Sequence, residues 1–206
     1  MQIVLHYNQN VLITNYYQVK MKKNLTALTA LLLMLLAGNA LFAQSKDGGF
    51  NDVQGANFLN AGIGLGSYGL AGSGLPLTAT FEHGFSKNIS AGVGLGFIQT
   101  KVTDYWKYTY LMIGARGSYH LNEALNISNT KIDVYGGAGL FYRHYKWKDT
   151  FGYADEPSGW NNSGSAGDVV FDLHAGARYM FGNSVGAYAE LGYGISPLQL
   201  GVSLKF

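Results

Sequence analysis

Residues 169–179 read VVFDLHAGARY, and the order of those letters decides the fold. Val169, Phe171, Leu173, Ala175, Ala177 and Tyr179 are apolar at every second position, with Asp172, His174, Gly176 and Arg178 between them. Side chains of an extended strand alternate between its two faces, so a period of two separates one apolar face from one polar face. The signature recurs toward the C-terminus. Ala187, Ala189, Leu191 and Tyr193 alternate with Tyr188, Glu190 and Gly192, and Leu198, Leu200, Val202, Leu204 and Phe206 with Gln199, Gly201, Ser203 and Lys205. It also recurs toward the N-terminus, in stretches around Val134–Leu140, Leu111–Tyr119, Ile89–Phe97, Leu77–Phe81 and Leu59–Leu65. Eight strands are predicted, mostly near the roughly 9–11 residues that a tilted transmembrane strand needs.

The apolar face of these stretches carries no Lys, Arg, Asp or Glu, whereas the other face holds Glu82, Arg116, Asp133, Asp172, Arg178, Glu190 and Lys205. A Lys or Arg at the lipid midplane costs about 2–4 kcal/mol, so the polar face must point inward and the apolar face at lipid. A soluble barrel of lipocalin type would have these faces exchanged. Composition agrees: charged residues make up 13% of the 206, against about 25% in ordinary soluble proteins, with 29 Gly and 14% aromatics. The net charge of +2 is too small to argue for nucleic acid. With no Cys, disulfides, thiolate metal sites and Cys nucleophiles are excluded. The predicted fold is therefore an all-β, eight-stranded, antiparallel up-and-down transmembrane barrel.

Residues 21–43 predict a cleaved signal peptide: Lys22 and Lys23 precede a compact apolar core from Ala30 to Gly38, and Ala43–Gln44 is the expected cleavage point. Residues 1–20 match no leader element and are read as a mis-assigned upstream segment. Residues 44–56 are polar and Gly-containing and predict a flexible periplasmic lead-in to a barrel over 57–206. Ser86-Lys87-Asn88 and Gly182-Asn183-Ser184 predict tight turns, whereas Gln99 to Lys107 and Lys148 to Gly167 predict long external loops. Leu121 to Thr130 is a longer periplasmic link than that arrangement expects.

The tail His174-Ala-Gly-Ala-Arg-Tyr-Met-Phe-Gly-Asn-Ser-Val-Gly-Ala-Tyr-Ala-Glu-Leu-Gly-Tyr-Gly194, closing with Leu200-Gly-Val-Ser-Leu-Lys-Phe206, resembles the outer-membrane β-barrel domain family, small eight-stranded barrels of the OmpA/OmpX type. The segment from Phe81 to Gly96 resembles that family's second hairpin. The resemblance implies the outer membrane of a Gram-negative bacterium, contact with its lipids, and a terminal Phe206 belonging to the signal read by the barrel-assembly machinery. The family is functionally mixed, so the resemblance transfers no activity.

Gly64, Gly66 and Gly69 spell a GxGxxG, but within an alternating strand rather than between a strand and a helix, so no cofactor is predicted. The inward charges predict a paired structural network, since an unpaired charge in a narrow interior is expensive. Arg178 and Glu190, either side of a tight turn, are the expected pair. An outer-membrane hydrolase would need a lipid-facing Ser/His/acid cluster. His120 and His174 point inward by parity, and His144 has no outward Ser and carboxylate beside it, so neither a catalytic nor a metal site is predicted. Phe85, Tyr119, Tyr179, Phe181 and Phe206 predict a periplasmic aromatic girdle, and Tyr108, Tyr142, Tyr193 and Trp106 an outer one. Tyr105, Trp106, Phe151, Tyr153 and Trp160 are candidate surface-recognition residues. The leading expectation is a non-enzymatic barrel with a structural or adhesive role through its external loops. A narrow channel is the second reading and a lipid-modifying enzyme the third.

Overall fold

The computed structural model describes residues 49–67, 74–103, 106–149, 163–194 and 196–206. Eight strands follow in chain order: β1 (Asn57–Leu65), β2 (Leu77–Ser86), β3 (Ile89–Thr103), β4 (Trp106–His120), β5 (Ile132–Asp149), β6 (Gly164–Met180), β7 (Val185–Tyr193) and β8 (Leu198–Lys205). Each pairs antiparallel with the next, and β1 pairs with β8 from Phe58↔Lys205 to Leu65↔Leu198, closing the barrel. Closure leaves no strand edge exposed along that seam.

The period of two becomes two environments. Outward residues such as Leu77, Val93, Ile113, Leu140, Phe171 and Leu191 are exposed apolar side chains. Inward residues include Asn60, Glu82, Arg116, Asp133, Asp172, Arg178 and Glu190, all buried. Gly residues line the same inward face, and several are there for space. A Cβ on Gly176 would strike the Tyr135 ring, and one on Gly94 or Gly114 would strike Phe141.

Three sequence expectations change. First, β3 to β6 run well past the predicted length: β5 has 18 residues where β8 has 8. The expected loop from Gln99 to Lys107 is instead a hairpin in register through Lys101↔Lys107, with a bulge before Thr103↔Trp106. Second, the expected Lys148 to Gly167 loop is shortened from both ends, because Lys146↔Ser165 and Trp147↔Gly164 still pair. Gly164 and Gly167 read as loop formers, yet they sit in strand under the rings of Trp147 and Tyr142, which a Cβ would strike. Aromatic rings packed over glycine rescue a strand that propensity alone would lose. Third, the lead-in read as flexible is folded from Gly49 to Ala56. Phe50 and Val53 are buried with Phe58 and Met180 in an apolar cluster at the end of the barrel that carries the β2–β3 and β6–β7 turns. Val53 N–H donates to Lys87 O at 2.9 Å, Gly55 N–H to Gly84 O at 2.8 Å, and Lys205 Nζ to Gly49 O at 2.6 Å. Lys205 also sits 4.7 Å from the Phe50 ring centroid, a cation–π contact.

Candidate functional site

Among the described residues, two regions hold the side chains that could carry function: the closed lumen and the inner face of the wall that β3 to β6 raise above it. In the lumen, Arg116 on β4 reaches across to Glu190 on β7 in a two-pronged contact, Nη1 to Oε1 at 3.2 Å and Nη2 to Oε2 at 2.8 Å. Its Nε lies 2.9 Å from Glu82 Oε1, an ion pair without hydrogen-bond alignment. Tyr135 Oη donates to Glu190 Oε2 at 3.1 Å, and Gln199 Nε2 to Glu190 Oε1 at 3.4 Å.

Arg178 donates through Nη1 to Asp133 Oδ2 and through Nε to Asn60. Its guanidinium lies 4.0 Å from the Tyr135 ring centroid and 4.7 Å from that of Phe58. The expected Arg178–Glu190 pair is therefore replaced by two others. Register explains it: Asp133 stands directly across β5–β6 from Arg178, whereas Glu190 is opposite Gly176, one diagonal step away. Direct cross-strand neighbours are closer than diagonal ones. Glu190, left free on that side, is met by Arg116 from the far wall. Glu82, Asp172 and Lys205 lie in the same interior, with Lys205 at its base.

Sequence reasoning missed two arrays built on these groups. Ser90 Oγ lies 3.0 Å from His120 Nε2, and His120 Nδ1 lies 2.8 Å from Asp133 Oδ1. Ser118 Oγ lies 3.0 Å from His174 Nε2, and His174 Nδ1 lies 2.6 Å from Asp172 Oδ2. Each has the Ser–His–Asp order of an acyl-transfer triad. Their surroundings argue against that chemistry: Ser90 Oγ donates its single proton to Glu82 Oε2 at 2.6 Å, not to histidine. Both serines and both histidines are buried, away from the lipid-facing surface. The arrays instead carry hydrogen bonds between charges on β2, β3, β4, β5 and β6, which suits a packed interior. The signal was present in the inward parity of Ser90, Ser118, His120 and His174, but pairing across strands needs the register.

Above Met112 and Phe141, both buried, the inward face of β4 and β5 becomes aromatic. Tyr110 and Tyr145 stack with centroids 5.6 Å apart, Tyr145 and Trp147 lie 6.0 Å apart, and Trp106 and Tyr108 lie 6.5 Å apart. Arg143 sits 6.0 Å from the centroids of Tyr110 and Tyr145, and grips Asp168 through Nε at 2.9 Å and Nη2 at 2.6 Å. Of the expected recognition residues, Trp106 lies on this ledge, while Tyr105, Phe151, Tyr153 and Trp160 lie outside the described residues.

No protein-family model matches this chain, and no curated protein matches it either. Solved structures do. The outer membrane protein OprG from Pseudomonas aeruginosa aligns at a TM-score of 0.51 and 11% identity, over 76% of this chain and 98% of that one. The chain has the fold of a small outer-membrane β-barrel. The N-terminal β-barrel domain of Pseudomonas aeruginosa OprF aligns at a TM-score of 0.49 and 14% identity, covering 74% of this chain and 98% of that one. The attachment invasion locus protein Ail of Yersinia pestis aligns at 0.45 and 11%, covering 74% and 99%.

In an outer-membrane barrel the outward apolar band is the lipid-facing surface, and here its rims carry aromatic side chains. Phe85, Tyr119, Tyr179 and Phe181 are exposed at the periplasmic rim, with Phe206 against Phe81, and Tyr142 and Tyr193 are exposed at the outer rim. Tyr108 and Trp106, expected in the outer girdle, are corrected to the inward ledge: on β4 they share parity with Met112 and Arg116. Of the GxGxxG, Gly64 packs at the outer mouth, where a Cβ would strike Ser196 and Pro76. Gly69 lies outside the described residues.

Proposed function

We propose that this protein is an integral barrel of a Gram-negative outer membrane that acts in surface recognition, its ligand met by the outer extension of β3 to β6. The observation that carries the reading is the aromatic ledge with its Arg143–Asp168 pair. Tyr, Trp and Arg dominate binding hot spots because they offer large rigid area with polar edges. A wall that only anchored the barrel would need no such rings on its inner face above the bilayer.

The lumen, on this reading, stabilises the barrel and passes nothing. Its charges are paired and its width is filled by Tyr135, Arg116, Arg178 and Phe141, as expected where eight strands leave room only for side chains. Lipids of the outer membrane and the assembly machinery that reads Phe206 are the partners this reading requires.

Binding of the detergent-purified barrel to bacterial and host cell surfaces and to a glycan array tests it, alongside the double variant Tyr145→Ala/Trp147→Ala. Loss of at least about tenfold in affinity with unchanged heat-modifiability is expected. Equal binding by the variant would refute the ledge as the contact surface. Steady conductance in planar bilayers would favour the channel instead.

A further inference from the structure

Among the described residues, the strands' outward face carries only four charged Lys, Arg, Asp or Glu side chains, Lys101, Lys107, Lys146 and Lys148, all at the outer ends of β3, β4 and β5. Register places three of them side by side: Lys101↔Lys107 across β3–β4, then Lys107↔Lys148 across β4–β5. Lys146, opposite Thr109, sits one outward position below Lys148. Strands lie about 4.8 Å apart, so the row spans roughly 10 Å.

Like charges directly opposite one another destabilise a sheet. The expected remedy is an alternating carboxylate, as Arg143 and Asp168 show on the inner face of the same wall. The outer face has none among the described residues, and none of the ion pairs among those residues involves these lysines. Lys101, Lys146 and Lys148 are exposed. Below the row on the same strands, past the outward polar residues Gln99, Thr109 and His144, Phe97, Leu111 and Tyr142 are exposed apolar residues of the lipid-facing band. The lysines therefore stand just above the hydrocarbon, at headgroup height in the outer leaflet.

We infer that Lys101, Lys107, Lys146 and Lys148 form a binding site for the phosphate groups of a phosphorylated glycolipid in the outer leaflet. The phosphates supply the negative charge that the described outer face lacks, and the acyl chains lie along Phe97, Leu111 and Tyr142. A basic residue near an anionic leaflet adds a steady attraction that several together make specific in place. A lysine ammonium suits phosphate as a compact point charge.

The test uses the full mature barrel and the quadruple variant K101Q/K107Q/K146Q/K148Q, in neutral detergent and in bilayers of diphosphorylated lipid A or of the same lipid stripped of its phosphates. In neutral detergent the variant should unfold at a higher temperature than the parent, because repulsion within the row is gone. In the phosphorylated bilayer the order should reverse, and the lipid retained on the purified barrel should fall at least about tenfold. In the dephosphorylated bilayer the reversal should be absent. Inorganic phosphate at millimolar concentration should not displace the lipid. The site is overturned if the variant gains stability equally in all three media, if dephosphorylated lipid is retained as well as phosphorylated, or if inorganic phosphate competes fully, which would reduce the row to a general anion patch.

Discussion

The lower barrel and the outer wall use the same inward face of β4 and β5, yet they fill it with opposite chemistry. Below Met112 that face holds Arg116, Ser118, His120, Asp133 and Tyr135, all buried and hydrogen-bonded or ion-paired across the lumen. Above it come Tyr110, Tyr108, Trp106, Tyr145 and Trp147, half-buried, with one partly exposed ion pair among the described residues. The difference is closure. Where eight strands surround the axis, the opposite wall removes water, and each charge needs a partner at fixed distance. Where the strands of only one side continue, water reaches the face and ring stacking is enough. The pleat sets which way a side chain points; the height along the strand sets what it must find there.

That contrast can be broken first in the lower barrel, where effects should be largest. Arg178→Ala leaves Asp133 with its His120 contact alone in a fully buried site, and should destabilise the barrel by about 3–5 kcal/mol in urea titration from bilayers. Pairing it with Asp133→Ala should recover part of the loss, whereas pairing it with Glu190→Ala should give nearly additive effects. Partial recovery with Glu190 and none with Asp133 would restore the diagonal pair and refute the register.

Next comes the apolar base. Phe50→Ala removes a buried ring from the small cluster with Val53, Phe58 and Met180, for a loss of about 3 kcal/mol. Amide exchange at Val53 and Gly55 should accelerate far more than at Gly114 or Leu140. Uniform acceleration would mean that the base and the wall of the barrel open as one unit.

Glycine substitutions sharpen the comparison at smaller scale. In Gly92→Ala the new methyl group meets the Phe81 carbonyl and the Glu82 backbone, so the closed sheet itself must shift, at about 1–3 kcal/mol. Gly164→Ala meets the Trp147 ring, a side chain able to move on the open wall, and should cost less while altering Trp147 fluorescence. Equal costs at the two positions would mean the wall is as tightly constrained as the closed barrel.

The smallest effect lies on the periplasmic surface. Hydrogen bonds from Lys87 and Asn88 hold the Glu123 carboxyl below its ordinary value. A depressed carboxyl contributes stability above its unfolded value and loses it as pH falls through the folded one. Glu123→Gln should therefore lower the urea midpoint slightly at pH 7 and not at pH 2, and added salt should shrink the difference, since the pair is exposed. A difference that persists at pH 2 would point to lost packing rather than charge.

The strands and the inward set were legible because parity needs only sequence. Glu82, Arg116, Asp133, Asp172, Arg178, Glu190 and Lys205 could each be assigned a face from neighbours two residues away. Partners could not be assigned, because Arg116 meets Glu190 across 74 positions and only the stagger of the closed sheet brings them level. The Ser–His–Asp arrays stayed hidden for the same reason. The height of β5 and β6 was lost at Gly164–Gly167, where local propensity indicates a loop and the rings of Trp147 and Tyr142 decide otherwise. Phe50 and Val53 sit among Gly, Asp and Asn with no periodicity to mark them.

The two ends of the barrel segment are clasped. Asn57 N–H donates to Phe206 O at 2.7 Å, Phe206 N–H returns to Asn57 O at 3.0 Å, and Lys205 reaches back to Gly49. Every other strand pairing joins neighbours in sequence, so this seam is the most distant in the chain and the one whose loop-closure entropy is greatest. It follows as a prediction about assembly that the seam forms last and that the Phe50 segment seats fully only once β8 arrives with Lys205. Brief proteolysis during refolding into vesicles should then cut near residue 50 until the heat-resistant form appears, and protection gained earlier would reverse that order. An unfinished barrel would thus carry two marks at one place, an unpaired β1 edge and a dangling aromatic tether, and both would vanish in the same step that completes the cylinder.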